Sequence, residues 1–272
     1  MTKYEKHMER IRKMRLLDDS FMKKVFEDKA CTQLLLRIIM EKPDLTVESV
    51  QTEYTVKNLQ GRGARLDVYA SDSNGIQYNV EVQREDKGAV PKRARYNSSL
   101  LDANVTEPGD DYENLPESYV IFITENDVLC QNESLYCFDR ICRKHDLPFN
   151  DGSHIIYVNA AKQNATPLGQ LMWDFSCTKA SDMHYDILAE RVRYFKEDKE
   201  GIRNMCRIME EVLEEGREEG REEGREEGLE EGKLETAKRL ITKGKMTLED
   251  IAECCDLSLE KIQALALEMD TK

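Results

Sequence analysis

Apolar positions along the chain alternate between two periods. From Asp19 to Met40, Phe21, Val25, Leu34, Leu35, Ile38 and Ile39 recur at the spacing of one helix face, and Lys42-Pro43 ends the run. Three strands are predicted next, near 47–56, 64–71 and 76–84, and then a basic, helix-compatible stretch from Lys92 to Asn104. Two β-branched runs follow, Tyr119–Ile123 and Ile155–Val158, and helical segments near 167–176 and 185–213 close this part. The order predicts an α/β domain, a mixed sheet with helices packed on it. Trp173 and the Tyr119–Ile123 strand read as core.

Beyond this the pattern changes. Glu214-Glu215-Gly216-Arg217 opens a run of Glu-Glu-Gly-Arg units that fades near Gly232. A glycine every fourth position costs a helix about 1 kcal/mol relative to alanine, and Glu–Arg pairs return only a few tenths. An exposed, fraying helix or charged linker is the expectation, with a small-residue stripe between two copies as the sharper alternative. Lys243-Gly244 supplies a stop. Thr247 with Asp250 reads as a capping box, and Ser258 can cap a final helix containing Ile262, Leu265 and Leu267. This last segment is spaced like a helix-turn-helix, but its second helix offers only Lys261 and Gln263 beside Glu260 and Glu268. Packing or a homodimer through these C-terminal helices is the better reading. The chain thus divides into 1–205, 206–234 and 235–272.

Charge modifies the choice of partner. The net charge is -14, and the segment from Glu210 to Glu235 alone carries -9, from 13 acids against 4 bases. Elsewhere there are local basic patches: +4 over residues 1–24 and +3 over 84–95. Phosphates respond to such patches, so the global sign does not exclude DNA. The eight cysteines form no CxxC pair and the four histidines are scattered, which gives a zinc site no support. No apolar run approaches a membrane span, and the polar start lacks a signal-peptide centre. Reduced thiols and a cytoplasmic location are expected.

The informative chemistry lies in one hairpin, Gly61-Arg62-Gly63-Ala64-Arg65-Leu66-Asp67-Val68-Tyr69, a turn at Asn74-Gly75, then Ile76 to Gln83. Alternation puts Leu66, Val68 and Ala70 on one face and Arg65, Asp67 and Tyr69 on the other. On the second strand Ile76, Tyr78, Val80 and Val82 oppose Gln77, Asn79, Glu81 and Gln83. A two-residue loop would place Asp67 across from Val82. A three-residue loop over Ser73, Asn74 and Gly75 instead pairs Asp72 with Ile76, and Asp67 with Glu81, about 5 Å apart at Cβ on one face. Adjacent carboxylates repel unless a cation lies between them, and Mg²⁺ suits two oxygen ligands. Gln83 points into the same site and could orient a water. On alternation alone, a hairpin whose polar face meets solvent is the simpler account.

The stretch GRGARLDVY…YNVEVQ resembles the core of the PD-(D/E)xK nuclease superfamily. Together with FEDKAC at 26–31, RARYNSSLLDAN at 93–104 and LPESYVIFIT at 115–124, it is similar to the bacterial Rpn family of recombination-promoting nucleases and transposases. The resemblance covers roughly 15–175. It implies a restriction-endonuclease-like mixed central sheet flanked by helices, here followed by the charged helical linker and the small C-terminal helical module. It further implies a Mg²⁺-dependent DNA endonuclease, with Mn²⁺ as a substitute, in which Asp67 and Glu81 bind the metal. Gln83 falls where the superfamily usually has lysine, and a glutamine amide can only donate and accept hydrogen bonds. Glu27 stands where many such nucleases carry an extra metal-reaching acid. Arg93, Arg95 and Tyr96 follow on a helix that could hold the phosphate of DNA. The competing expectations are a catalytically weak or inactive DNA- or protein-binding member of the same fold, and, more weakly, a ribonuclease-H-type transposase.

Overall fold

A computed structural model describes residues 3–56, 63–84 and 88–270. Gly61 and Arg62 of the hairpin motif therefore lie outside the described residues. Two units are present, Met1–Met209 and Glu210–Lys272.

The first unit is built on a six-stranded mixed sheet. Its strands are β1 (Val47–Val56), β2 (Ala64–Asp72), β3 (Gln77–Gln83), β4 (Ser118–Thr124), β5 (Leu135–Phe138) and β8 (Ser153–Asn159), in the spatial order β1-β2-β3-β4-β8-β5. β1 to β3 form an antiparallel meander, β3-β4 and β4-β8 are parallel, and β5 returns antiparallel on the edge. The central strands are β-branched and aromatic, and β4 is buried along its whole length. This is the restriction-endonuclease-like α/β arrangement. A short exposed ribbon, β6 (Ile141–Cys142) with β7 (Leu147–Pro148), has no apolar alternation and escapes a reading by periodicity.

Alternation sends side chains into two separate cores. Tyr119, Ile121 and Ile123 of β4 join Tyr78, Val80 and Val82 of β3 in a large cluster. That cluster is covered by α1 (Lys3–Lys13), α2 (Asp19–Phe26), α3 (Lys29–Ile39), α5 (Pro167–Ser176) and α6 (Asp186–Glu197). Val120 and Phe122 face the other way, into a smaller cluster under α4 (Pro91–Val105). The sheet is thus sandwiched between helical layers.

Three expectations are corrected here. The single helix over 19–40 is two, because Asp28 takes an extended backbone and its carboxylate accepts the N–H groups of Ala30 and Cys31, capping α3. The run over 185–213 likewise breaks at Asp198, where α6 ends and a 45-residue helix, α7 (Lys199–Lys243), begins. Trp173 is half exposed rather than core; its indole N–H donates to the Asp182 carbonyl.

In the second unit the Glu-Glu-Gly-Arg repeats lie within α7, so they are helical. α8 (Leu248–Cys255) opens with the reciprocal Thr247–Asp250 capping box, and Ser258 caps α9 (Leu259–Asp270) through the Lys261 N–H. Ala237, Ile251, Ala252, Cys255, Ile262 and Leu265 form the core of this unit, but Leu267 is exposed. Lys261, offered above as a base-reading side chain, is bound instead to Glu230 at 2.6 Å.

Candidate active site

The β2–β3 hairpin has the three-residue turn. The Asp72 N–H donates to Ile76 O, and the pairs Ser71–Gln77, Ala70–Tyr78, Tyr69–Asn79 and Val68–Val80 follow in that register. The next step brings Asp67 level with Glu81. There the ladder stops: the Asp67 Oδ2 itself accepts the Val82 N–H at 3.3 Å, so a side chain replaces the strand partner.

The expected regular face is not what surrounds the acids. Val68 and Ala70 pack in the large cluster, yet Leu66 packs in the smaller one with Val56. β2 therefore changes face at Asp67, and β1 does the same, with Val50 on one side and Tyr54 and Val56 on the other. The cause is Glu53, whose φ of 56° lies in the left-handed region within β1. Thr52 pairs with Val68 and Tyr54 with Leu66, so Glu53 stands level with Asp67. Asp67 thus sits on the seam, while Glu81 faces α4.

Each acid has a cation. Lys23 Nζ of α2 lies 3.3 Å from Asp67 Oδ1, 2.8 Å from Asp19 Oδ2 and 3.7 Å from Glu53 Oε1. Arg93 of α4 donates to Glu81 Oε2 at 2.6 Å and to the Gly88 carbonyl at 3.2 Å, and Asn97 donates to Glu81 Oε1 at 3.5 Å. Asp67, Lys23, Asp19, Gln83, Gly88 and Arg93 line one cleft of about 430 Å³. Gln83 ends β3 with its amide laid over Gly88; a side chain at position 88 would collide with it.

Burial dominates the electrostatics. It pushes the Asp67 carboxyl up to about 6 against the opposing pull of Lys23, with Asp19 adding to the rise. It pushes fully buried Glu81 up to about 7, reinforced by the charge of Asp67 and opposed by Arg93. For Lys23, burial favours the neutral amine, but Asp67 and Asp19 outweigh it and raise the group above the ordinary lysine value.

The donor set fits Mg²⁺. Two hard carboxylates that resist joint ionisation are relieved by a divalent cation, and Mg²⁺ uses one or two carboxylates with water and phosphate oxygens completing its shell. Among the described residues no group of three His, Cys, Asp or Glu side chains could hold a metal by itself.

Of the remaining site residues anticipated from sequence, Arg93, Arg95 and Tyr96 line an adjoining groove of about 930 Å³, where Arg65 and Lys92 add further positive charge. Tyr96 packs partly on the smaller core. Glu27 is not brought to the pair: it caps the far end of α2, half exposed, with its carboxylate 3.3 Å from Lys24. The α2 acid that reaches the cleft is Asp19. Sequence reasoning missed both Asp19 and Lys23. Their signal was an i,i+4 acid–base pair in a short helix otherwise rich in buried apolar residues, in which Lys23 shares the buried side with Met22 and Phe26.

No curated protein and no solved structure gives a significant match to this chain. Residues 16–230, most of the chain, match the model of a family described as PD-(D/E)XK nuclease family transposase, and the buried Asp67–Glu81 pair sits within that span. The chain belongs to the PD-(D/E)XK nuclease family transposases.

Proposed function

We propose that the chain is a Mg²⁺-dependent DNA endonuclease that hydrolyses phosphodiester bonds, with Mn²⁺ able to replace Mg²⁺. The supporting observation is the pair of buried carboxylates, Asp67 and Glu81, level with each other at the point where β2 and β3 part. These two residues would hold the metal. A bound divalent cation supplies Lewis-acid stabilisation of charge on the phosphate and acidifies water.

The protein's own residues supply the rest. The Gln83 amide, packed over Gly88, orients the attacking water by hydrogen bonding. Arg93 and Arg95, with Arg65, Lys92 and Tyr96, offer a basic groove to the DNA backbone beside the cleft. On this reading residues 1–205 carry catalysis, 206–234 form a charged connector, and 235–272 an accessory module that packs or dimerises. The protein would work in the cytoplasm; no helix among the described residues is long and apolar enough to cross a membrane.

The test is nicking of supercoiled plasmid under Mg²⁺ titration. Asp67→Ala or Glu81→Ala is expected to abolish Mg²⁺-dependent nicking while the protein stays folded by circular dichroism. Purified Asp67→Ala that cuts as fast as the parent rules out the site. A second reading, a non-catalytic DNA- or protein-binding member of the family, draws on two observations: each acid already has a cation partner, and Gln83 carries no charge. Calorimetry showing no binding of Mg²⁺ or Mn²⁺ at millimolar concentration, together with no cleavage, would favour it.

A further inference from the structure

Two cations reach the acid pair from opposite layers of the fold, and they differ in kind. Arg93 is partly exposed and also tied to a backbone carbonyl. Lys23 is only 5% exposed, on a short helix whose Phe21, Met22, Val25 and Phe26 are all buried, yet its ammonium ends in the wall of the cleft beside Asp67 and Gln83. A buried ammonium is costly unless paired, and one carboxylate would suffice for pairing. Lys23 has three within 4 Å: Asp19, Asp67 and Glu53. Glu53 reaches it from a strand residue held in the left-handed region, a kind of strain that concentrates at functional sites. The ammonium is therefore over-supplied with acids at the mouth of a cleft that a phosphate must enter.

The geometry points to Lys23 as a catalytic cation: in the free protein it is the counter-ion of Asp67, and with substrate bound it turns to an oxygen of the scissile phosphate. This deepens the nuclease reading and rests on it. Lys23 keeps all its protons throughout; it contributes charge and a hydrogen bond to the phosphate and takes no part in proton transfer to or from water or the leaving group. It thereby provides from α2 the positive charge that the Gln83 amide cannot provide from β3. Asp19 and Glu53 act as positioning residues, keeping the ammonium at the cleft after Asp67 is engaged elsewhere.

A lysine that only ties α2 to the sheet predicts something different, and the full chain can decide. In Lys23→Gln, Mn²⁺ affinity measured by calorimetry without DNA is expected to rise several-fold, because a competitor for Asp67 has gone. Plasmid nicking at saturating Mn²⁺ is expected to fall by about 100-fold or more, the scale seen when one preorganised donor to developing charge is removed. Lys23→Arg, which keeps the charge, should recover most of that rate. Parallel loss of Mn²⁺ affinity and nicking, or nicking at the parent's rate, overturns the proposal. Should Lys23→Gln not fold, Lys23→Arg decides: substantial nicking supports the assignment, and a loss as deep as that of Asp67→Ala defeats it. A parent that neither binds Mn²⁺ nor nicks DNA overturns the nuclease reading and this assignment with it.

Discussion

Glu81 illustrates how one side chain can weaken a fold while equipping it. Its carboxyl titrates near 7 in the folded protein against an ordinary 4.5, so the folded state holds the proton more tightly than the unfolded chain. That contribution to stability is complete below about pH 4.5 and is lost as pH rises through 7. Glu81→Gln has no such loss and still offers an oxygen to Arg93. It should be more stable than the parent at pH 8, by on the order of 3 kcal/mol, with the gap closing as pH falls toward 4.5. Thermal melts across that range check it. The same sign would govern metal binding by this pair, which would need both carboxylates ionised: divalent affinity should fall as pH drops through 7 and then 6. Calorimetric titrations at pH 8, 7 and 6 would show the trend, and a flat profile would argue against this pair as ligands. Asp67 and Glu81 were legible in the sequence because a hairpin is local: turn length sets register, and register sets which acids meet. Lys23 and Asp19 were not, since they arrive by docking of a distant helix, which no spacing within the hairpin encodes.

At the level of elements, the break between α2 and α3 depends on a single cap. Asp28 satisfies two of the free N–H groups at the start of α3, so Asp28→Ala should cost about 1 kcal/mol, measurable by denaturant unfolding. The break itself was hidden because apolar periodicity continues across it. Glu27, expected from the resemblance as an extra acid, lies at the end of α2 away from Asp19, a placement that one uninterrupted helix over 19–40 does not define. The change of face in β1 and β2 was also illegible, since strict alternation assumes every residue stays extended, and Glu53 does not. Strands β5 to β7 are short and largely exposed, which leaves no period to detect.

Across the whole molecule, the most repetitive stretch of sequence leaves open space beside its glycines. A methyl group added at Gly216, Gly220, Gly224, Gly228 or Gly232 would meet nothing within 4 Å beyond the nearby backbone of its own helix. Gly220→Ala with Gly224→Ala should therefore stabilise α7 locally by about 1 kcal/mol each, seen as slower amide exchange, with nicking unchanged. If the glycines serve instead as a close-approach stripe between copies, the same methyls would weaken self-association in sedimentation. The folded first unit carries a different kind of coupling. Because β1 and β2 cross from one hydrophobic layer to the other at Glu53 and Asp67, the acid hangs between two cores that otherwise pack independently. The Asp67 carboxylate can then be shifted from either side of the sheet: trimming Leu66 beneath α4, or Val68 beneath the opposite helices, would move the same stretch of backbone without touching any residue of the cleft.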